Sequence, residues 1–103
     1  SYFSAQAMNA TTNGAAVDAQ QLFNASAQCV VTSNTSGTGT IKFQASNDGT
    51  NWNDLTTVAV SSGNASYIVS KIDLCYQYVR VIYVPTVTDA GGRIACTFHA
   101  LGV

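Results

Sequence analysis

Apolar and polar residues alternate along most of this chain. In TIKFQAS, residues 40–46, Ile41, Phe43 and Ala45 fall on one side of an extended segment, and Lys42, Gln44 and Ser46 on the other. Successive side chains of a strand point to opposite faces, so this period of two predicts a half-buried β-strand. GRIACTFHALG, residues 92–102, repeats the pattern, with Ile94, Cys96, Phe98 and Ala100 opposed to Arg93, Thr97 and His99. CYQYVRVIYV, residues 75–84, is dense in β-branched and aromatic residues and predicts a strand covered on much of both faces. Its Val79, Val81 and Tyr83 are assigned to the core, and Tyr78, Arg80 and Ile82 to the opposite face. Weaker alternation predicts strands in YFSAQAMN, SAQCVVTS, LTTVAVS and ASYIVSK. AAVDAQQLFNA fits a short helical turn through Val17, Gln21 and Leu22, and fits an edge strand equally.

Between these segments lie Asn13-Gly14, SNTSGTG, Asp48-Gly49, SSGN and DAGG. Such residues tolerate positive φ or bond their own backbone, and they predict turns. Pro85 follows the longest strand and is expected to end it. About seven or eight short strands without a long helix predict an all-β fold, a single antiparallel β-sandwich of jelly-roll-like type. At 103 residues the chain makes one domain, 1–103, with residues 1–10 as an N-terminal arm or edge strand.

Composition narrows the function. Only 9% of residues are charged, against about a quarter in ordinary globular domains. The four Lys and Arg are scattered, so no basic stripe exists to neutralise phosphates or to hold a membrane surface. Nucleic-acid and membrane partners are not expected. The N-terminus lacks a basic region followed by an apolar run and does not read as a retained signal peptide. Cys29, Cys75 and Cys96 show no metal-ligand spacing. They read as buried free thiols of a protein made in a reducing cytosol, with one bridge plus one free thiol left open.

The chemistry of sites is sparse. The acids are Asp18, Asp48, Asp54, Asp73 and Asp89, with no glutamate. Asp48 and Asp54 flank one loop with Asn47, Asn51 and Asn53, but no calcium-loop spacing is met, and Asp48 is expected to bond its own turn amides. His99, the only histidine, has no motif-placed serine or cysteine beside it. The chain is expected to be no enzyme and to need no cofactor or metal.

Trp52, the only tryptophan, poses the main question, because it follows the polar turn SNDGTN. Folded back over the open end of the sandwich, it would bury its ring over the sheet ends. Left exposed, it would form a glycan platform with Asn51, Asn53 and Tyr76. The expectation is the first.

The turn Ser46-Asn47-Asp48-Gly49 with Trp52, and the strand Tyr78-Val79-Arg80-Val81, resemble small β-sandwich structural proteins of bacteriophages, found among head-decoration, spike and tail-associated components. The resemblance covers about the C-terminal two thirds. It implies a non-enzymatic structural protein of the virion, made in the host cytoplasm, that binds copies of itself as trimers or pentamers and contacts other virion proteins. Candidate contacts are Tyr2 and Phe3 at the terminus and Tyr78, Arg80 and Ile82 on the sheet. Discoidin-type and some carbohydrate-binding sandwiches carry similar stretches, so a carbohydrate-binding module or host-glycan adhesin domain is the alternative.

Overall fold

A computed structural model of the chain describes residues 2–72 and 75–102, with Phe23 described by its backbone alone. Asp73, one of the five acids, lies outside the described residues. The chain folds into nine strands: β1 (Phe3–Met8), β2 (Thr12–Asn13), β3 (Val17–Asp18), β4 (Leu22–Thr32), β5 (Thr38–Ser46), β6 (Asn53–Val60), β7 (Ala65–Lys71), β8 (Tyr78–Val87) and β9 (Asp89–Gly102). They form a four-stranded sheet, β1-β9-β4-β7, and a five-stranded sheet, β2-β8-β5-β6 with β3 also on β8. Every pairing is antiparallel.

The alternation read from the sequence fills the space between the sheets. Val79, Val81 and Tyr83 of β8 are fully buried, as are Ile41 and Phe43 of β5, against Ala27, Cys29 and Val31 of β4 and Ile94 and Cys96 of β9. β4 contributes mainly small residues, and the neighbouring sheet contributes the large rings of Phe43 and Tyr83, a pairing of sizes that fills a core without voids. Phe43 stacks on the half-buried Phe98 with centroids 6.3 Å apart, joining the two sheets. Cys29 and Cys96 stand opposite one another in the β4–β9 register, buried and unbridged. The hydrogen bond with Cys29, together with burial, pushes the Cys96 thiol above its ordinary value. Cys75, expected to be buried, is exposed.

Of the two readings of residues 15–25, the strand is the one observed: β3 runs beside β8 and β4 begins at Leu22. Two local expectations are corrected. Pro85 does not end its strand, which continues to Val87. The pairs Gly39–Pro85 and Thr38–Val87 skip Thr86, and an irregularity of this kind tolerates a residue without an N–H. DAGG begins β9, and its turn chemistry survives as the Gly91 and Gly92 amides donating to Asp89 Oδ1 at 3.0 and 3.1 Å.

The two ends of the sandwich differ. At one end, side chains tie the β4–β5, β6–β7 and β8–β9 connections together. Buried Asn34 donates through Nδ2 to the carbonyls of Gly37 and Gly63 and accepts at Oδ1 from the Gly37 amide. Its own amide donates to Asn64 Oδ1. Asp89 Oδ2 accepts from the Thr35 and Ser36 amides, which hold its carboxyl below the usual carboxylate range. One lateral side is closed by Tyr2. Its amide donates to the Cys96 carbonyl at 2.7 Å, its hydroxyl donates to the Ala15 carbonyl and accepts from the Val81 amide, and its ring lies 5.5 Å from that of Phe98. Gly14 is required there, since a Cβ would run into the Tyr2 ring and the Val81 carbonyl.

A carboxylate held below its ordinary value contributes stability that is complete above the unfolded value, about 3.9 for Asp, and is lost as pH falls through the folded value. Denaturant midpoints are therefore expected to hold down to about pH 5 and to fall below about pH 4. Asp89→Asn is expected to lower the midpoint at neutral pH and make the acid decline shallower; an unchanged decline would contradict the role given to Asp89. In the core, the Tyr83 hydroxyl is buried without a partner among the described residues. Urea titration of Tyr83→Phe is expected to show no loss, or a gain of up to about 1 kcal/mol, while Phe43→Ala costs about 3–5 kcal/mol.

Candidate functional site

The β5–β6 loop shapes the other end of the sandwich. Ser46 Oγ accepts from the Asp48 and Gly49 amides at 3.2 and 2.9 Å and donates to Asp48 Oδ1 at 2.9 Å. Asp48 Oδ1 also accepts from the Thr50 and Asn51 amides, and Asn51 Nδ2 donates to Asp48 Oδ2 at 2.7 Å. These bonds, the Asn51 amide foremost, hold the exposed Asp48 carboxyl well below the usual range. Gly49 has a φ of 77°, which a side chain rarely adopts, and the reversal turns there. Asp48 is thus a turn organiser, as expected from Asp-Gly. The loop is fastened to the β7–β8 connection by the Gln77 amide donating to Asn47 Oδ1 at 2.9 Å.

Beyond the turn, β6 pairs with β5 through one irregularity. Phe43 faces Thr56 and Gln44 faces Asp54, so Leu55 is an extra residue in β6. Leu55 packs against the core. Residues two apart share a face, so Trp52 stands with Asp54 on the outer face of the five-stranded sheet, where Gln44 and Arg80 are neighbours in register. The expectation that Trp52 covers the open end is corrected accordingly. The half-buried ring is not among the side chains packed on the core; it lies beneath the Arg80 guanidinium, whose carbon is 4.3 Å from the ring centroid.

From Trp52 a polar ladder crosses the sheet. Arg80 Nε donates to Gln44 Oε1 at 2.9 Å, Gln44 Nε2 donates to Asp54 Oδ1 at 2.8 Å, and Lys42 Nζ lies 3.4 Å from Asp54 Oδ2. The Gln44 amide, with Lys42 adding to it, holds the Asp54 carboxyl below its ordinary value. Asp54 is therefore committed to the ladder, on a different face from Asp48.

Because the tryptophan faces outward, the end of the sandwich stays open. A cleft of about 350 Å³ is lined by Asn47, Asp48, Asn51, Asn53 and Tyr76, with Ala45, Ser46 and Leu55. A second of about 350 Å³ shares Asn47 and Tyr76 and adds Ala19, Gln20, Cys75 and Gln77. Of the four glycan-platform candidates, Asn51, Asn53 and Tyr76 meet at the first cleft, and Trp52 does not line it. Asn47, named in the sequence only beside Asp48, and Gln20 and Gln77, read inside predicted elements, were not joined to the platform, because a single polar residue carries no signal of the cleft it lines.

The candidate contacts scatter. Tyr2 and Phe3 are half-buried against the core, and β1 pairs with β9 of the same chain, so the terminal arm is an edge strand. Tyr78 and Arg80 are half-buried on the outer face. Ile82 is only 6% exposed, flanked in register by Asn13 of β2 and Lys42 of β5, and presents no surface. The apolar surface lies on the other sheet, where Ile68 and Leu101 are 64% and 58% exposed, with His99 in a small groove beside Leu101 and Ile72.

These features define a class: a two-sheet antiparallel β-sandwich with one end tied shut and the other open. No family model matches the sequence, and no curated protein matches it. Among solved structures, the fold is similar to the crystal structure of the PBSX exported protein XepA, with TM-score 0.69 and 15% identity over 98% of this chain. This chain spans 37% of that one. The crystal structure of PirA is similar with TM-score 0.63 and 14% identity, covering 98% of this chain and 94% of PirA. A CBM4 structure matches with TM-score 0.57 and 9% identity, covering 97% of this chain and 80% of that one. Identities this low establish a shared fold.

The outward Trp52 has a direct readout. Arg80→Ala removes both the cation over the indole and the donor to Gln44, and is expected to cost about 1 kcal/mol. It should also move Trp52 emission to longer wavelength and raise its quenching by iodide. An unchanged emission spectrum would place the ring elsewhere.

Proposed function

We propose that this chain is a non-enzymatic structural module of a phage particle or phage-exported assembly, acting by packing against copies of itself and against other particle proteins. The observation that carries the reading is the outward face of the β1-β9-β4-β7 sheet. Alternation puts Val30, Ile68 and Leu101 on this face, all exposed, with Ser26, Gln28, Ser66 and Thr97 among them. Neither β4 nor β7 carries an acid. Gln28 Nε2 donates to Ser66 Oγ at 3.0 Å, so part of the polarity is already satisfied within the face. Pairing two such faces removes apolar area from water, and the ionisable side chains that β9 adds to the face are Arg93 and His99.

The fold adds support, since it is shared with the phage PBSX exported protein XepA over nearly the whole of this chain. The chemistry points the same way: the carboxylates of Asp48, Asp54 and Asp89 are all engaged in hydrogen bonds that shape turns or the outer ladder. The occupant of the sheet face is a second copy of this chain, met face to face or in a closed ring. The location that follows is the virion or the exported assembly.

Light scattering over a wide concentration range is expected to show a discrete oligomer, with Ile68→Asp shifting it to monomer while the denaturant midpoint changes by less than about 0.5 kcal/mol equivalent, as for other exposed sites. A monomer at every concentration, or an oligomer indifferent to both Ile68→Asp and Leu101→Asp, would refute assembly through this face.

A further inference from the structure

The open end has a chemistry of its own, separate from the assembly face. Its first cleft, about 350 Å³, falls within the range of small-molecule sites, roughly 300–1,000 Å³. The floor is apolar: Ala45 is buried in the core cluster, and Leu55 and Tyr76 pack against it. The walls are amides, and each is held differently. Asn47 accepts through Oδ1 from the Gln77 amide, which leaves its Nδ2 to donate. Asn51 donates through Nδ2 to Asp48, which leaves its Oδ1 to accept. Asn53 is exposed and its side chain has no partner among the described residues, so both of its functions face outward.

Charge selects against most ligands. Among the described residues Asp48 supplies the only carboxylate in the lining, and it accepts from the Thr50 and Asn51 amides, the Asn51 side chain and the Ser46 hydroxyl. Little of it remains for a cation. Among the described residues the lining contains no Lys or Arg, so a phosphate or carboxylate ligand meets no counter-charge there. What the cleft offers is a fixed donor, a fixed acceptor, an uncommitted amide and an aromatic floor, all uncharged. A hydroxyl both donates and accepts, so neighbouring hydroxyls match this array, and the apolar face of a sugar ring suits the tyrosine.

We infer that the open end of the sandwich is a binding site for a neutral saccharide, seated over Tyr76 and bonded by Asn47, Asn51 and Asn53. Trp52 takes no part, since its ring is engaged by Arg80 on the outer face. Asn47 and Tyr76 also line the second cleft, so a chain of two or more sugars extends past them toward Gln20 and Gln77. The site goes beyond the assembly role and does not depend on it.

The test is titration of isotope-labelled full chain with glucose, galactose, mannose, N-acetylglucosamine and neutral oligosaccharides of each, up to about 50 mM, read by amide chemical shifts. At least one sugar is expected to shift the signals of Asn47, Asn51, Asn53 and Tyr76 together. Asn53→Ala, which removes no internal bond, should weaken that binding about tenfold, the loss of one good hydrogen bond. Ile68→Asp on the assembly face should leave the affinity unchanged, which separates failure of this site from failure of assembly. Shifts centred on Trp52 and Arg80, shifts indifferent to Asn53→Ala, or none from any sugar in the set would overturn the inference.

Discussion

The extra residue in β6 decides what each end and face of this molecule becomes. With Phe43 opposite Thr56 and Gln44 opposite Asp54, Leu55 is left over and packs into the core. A period-two strand has no neutral way to absorb one residue, because adding it exchanges the faces of everything beyond. Asp54 and Trp52 are thereby fixed on the outside of the five-stranded sheet. From that single offset follow the Arg80 stack over Trp52, the Gln44 bridge to Asp54, and an open end that Trp52 does not cover. The irregularity shapes the ladder and the cleft together.

The two ends of the sandwich then diverge for reasons of hydrogen bonding. At the closed end the polar groups of the loops are met by Asn34, Asn64 and Asp89 across 29 to 54 residues of sequence. Each of these bonds ties a pair of connections. At the open end the β5–β6 loop satisfies itself, through Ser46 and Asp48, over only a few residues. A loop that closes on its own backbone asks nothing of its neighbours except the single bond from Gln77 to Asn47. Space is therefore left beneath it, walled by the side chains that the turn did not consume.

Much of this fold was legible in the sequence, because burial and alternation are the same fact seen at two levels. Val79, Val81 and Tyr83 were assigned inward and are fully buried, and β7 was bounded correctly at Ala65 and Lys71. The self-bonded Asp48 turn was legible too, since its partners are its sequence neighbours. What escaped were features set by partners far along the chain. The orientation of Trp52 depends on a register shift that no local signal announces. Pro85 sits inside a strand because the opposing strand is out of step there. Ile82 looked like surface because its face is the outer one, and its burial depends on β2, two residues that carry almost no strand signal of their own. Cys75 looked like Cys29 and Cys96, but only the latter two occupy inward positions of β4 and β9.

The scarcity of charge takes on a sharper meaning once the positions are known. Of the four described acids, Asp18 accepts from the Gln20 amide, Asp48 and Asp89 are consumed in loop geometry, and Asp54 in the ladder, where Lys42 and Arg80 meet it directly or through Gln44. The surfaces left over, one sheet face with Arg93 and His99 and one open end with the self-bonded Asp48, are both sparse in charge, yet they are not alike. The sheet face is flat, exposes β-branched and leucine side chains, and gains by excluding water over area. The open end is concave and edged with fixed amides, and gains by exchanging hydrogen bonds one for one. A flat face sparse in charge recognises another like it, whereas a ring of oriented amides discriminates among small polar molecules. The same low charge therefore suits two kinds of partner.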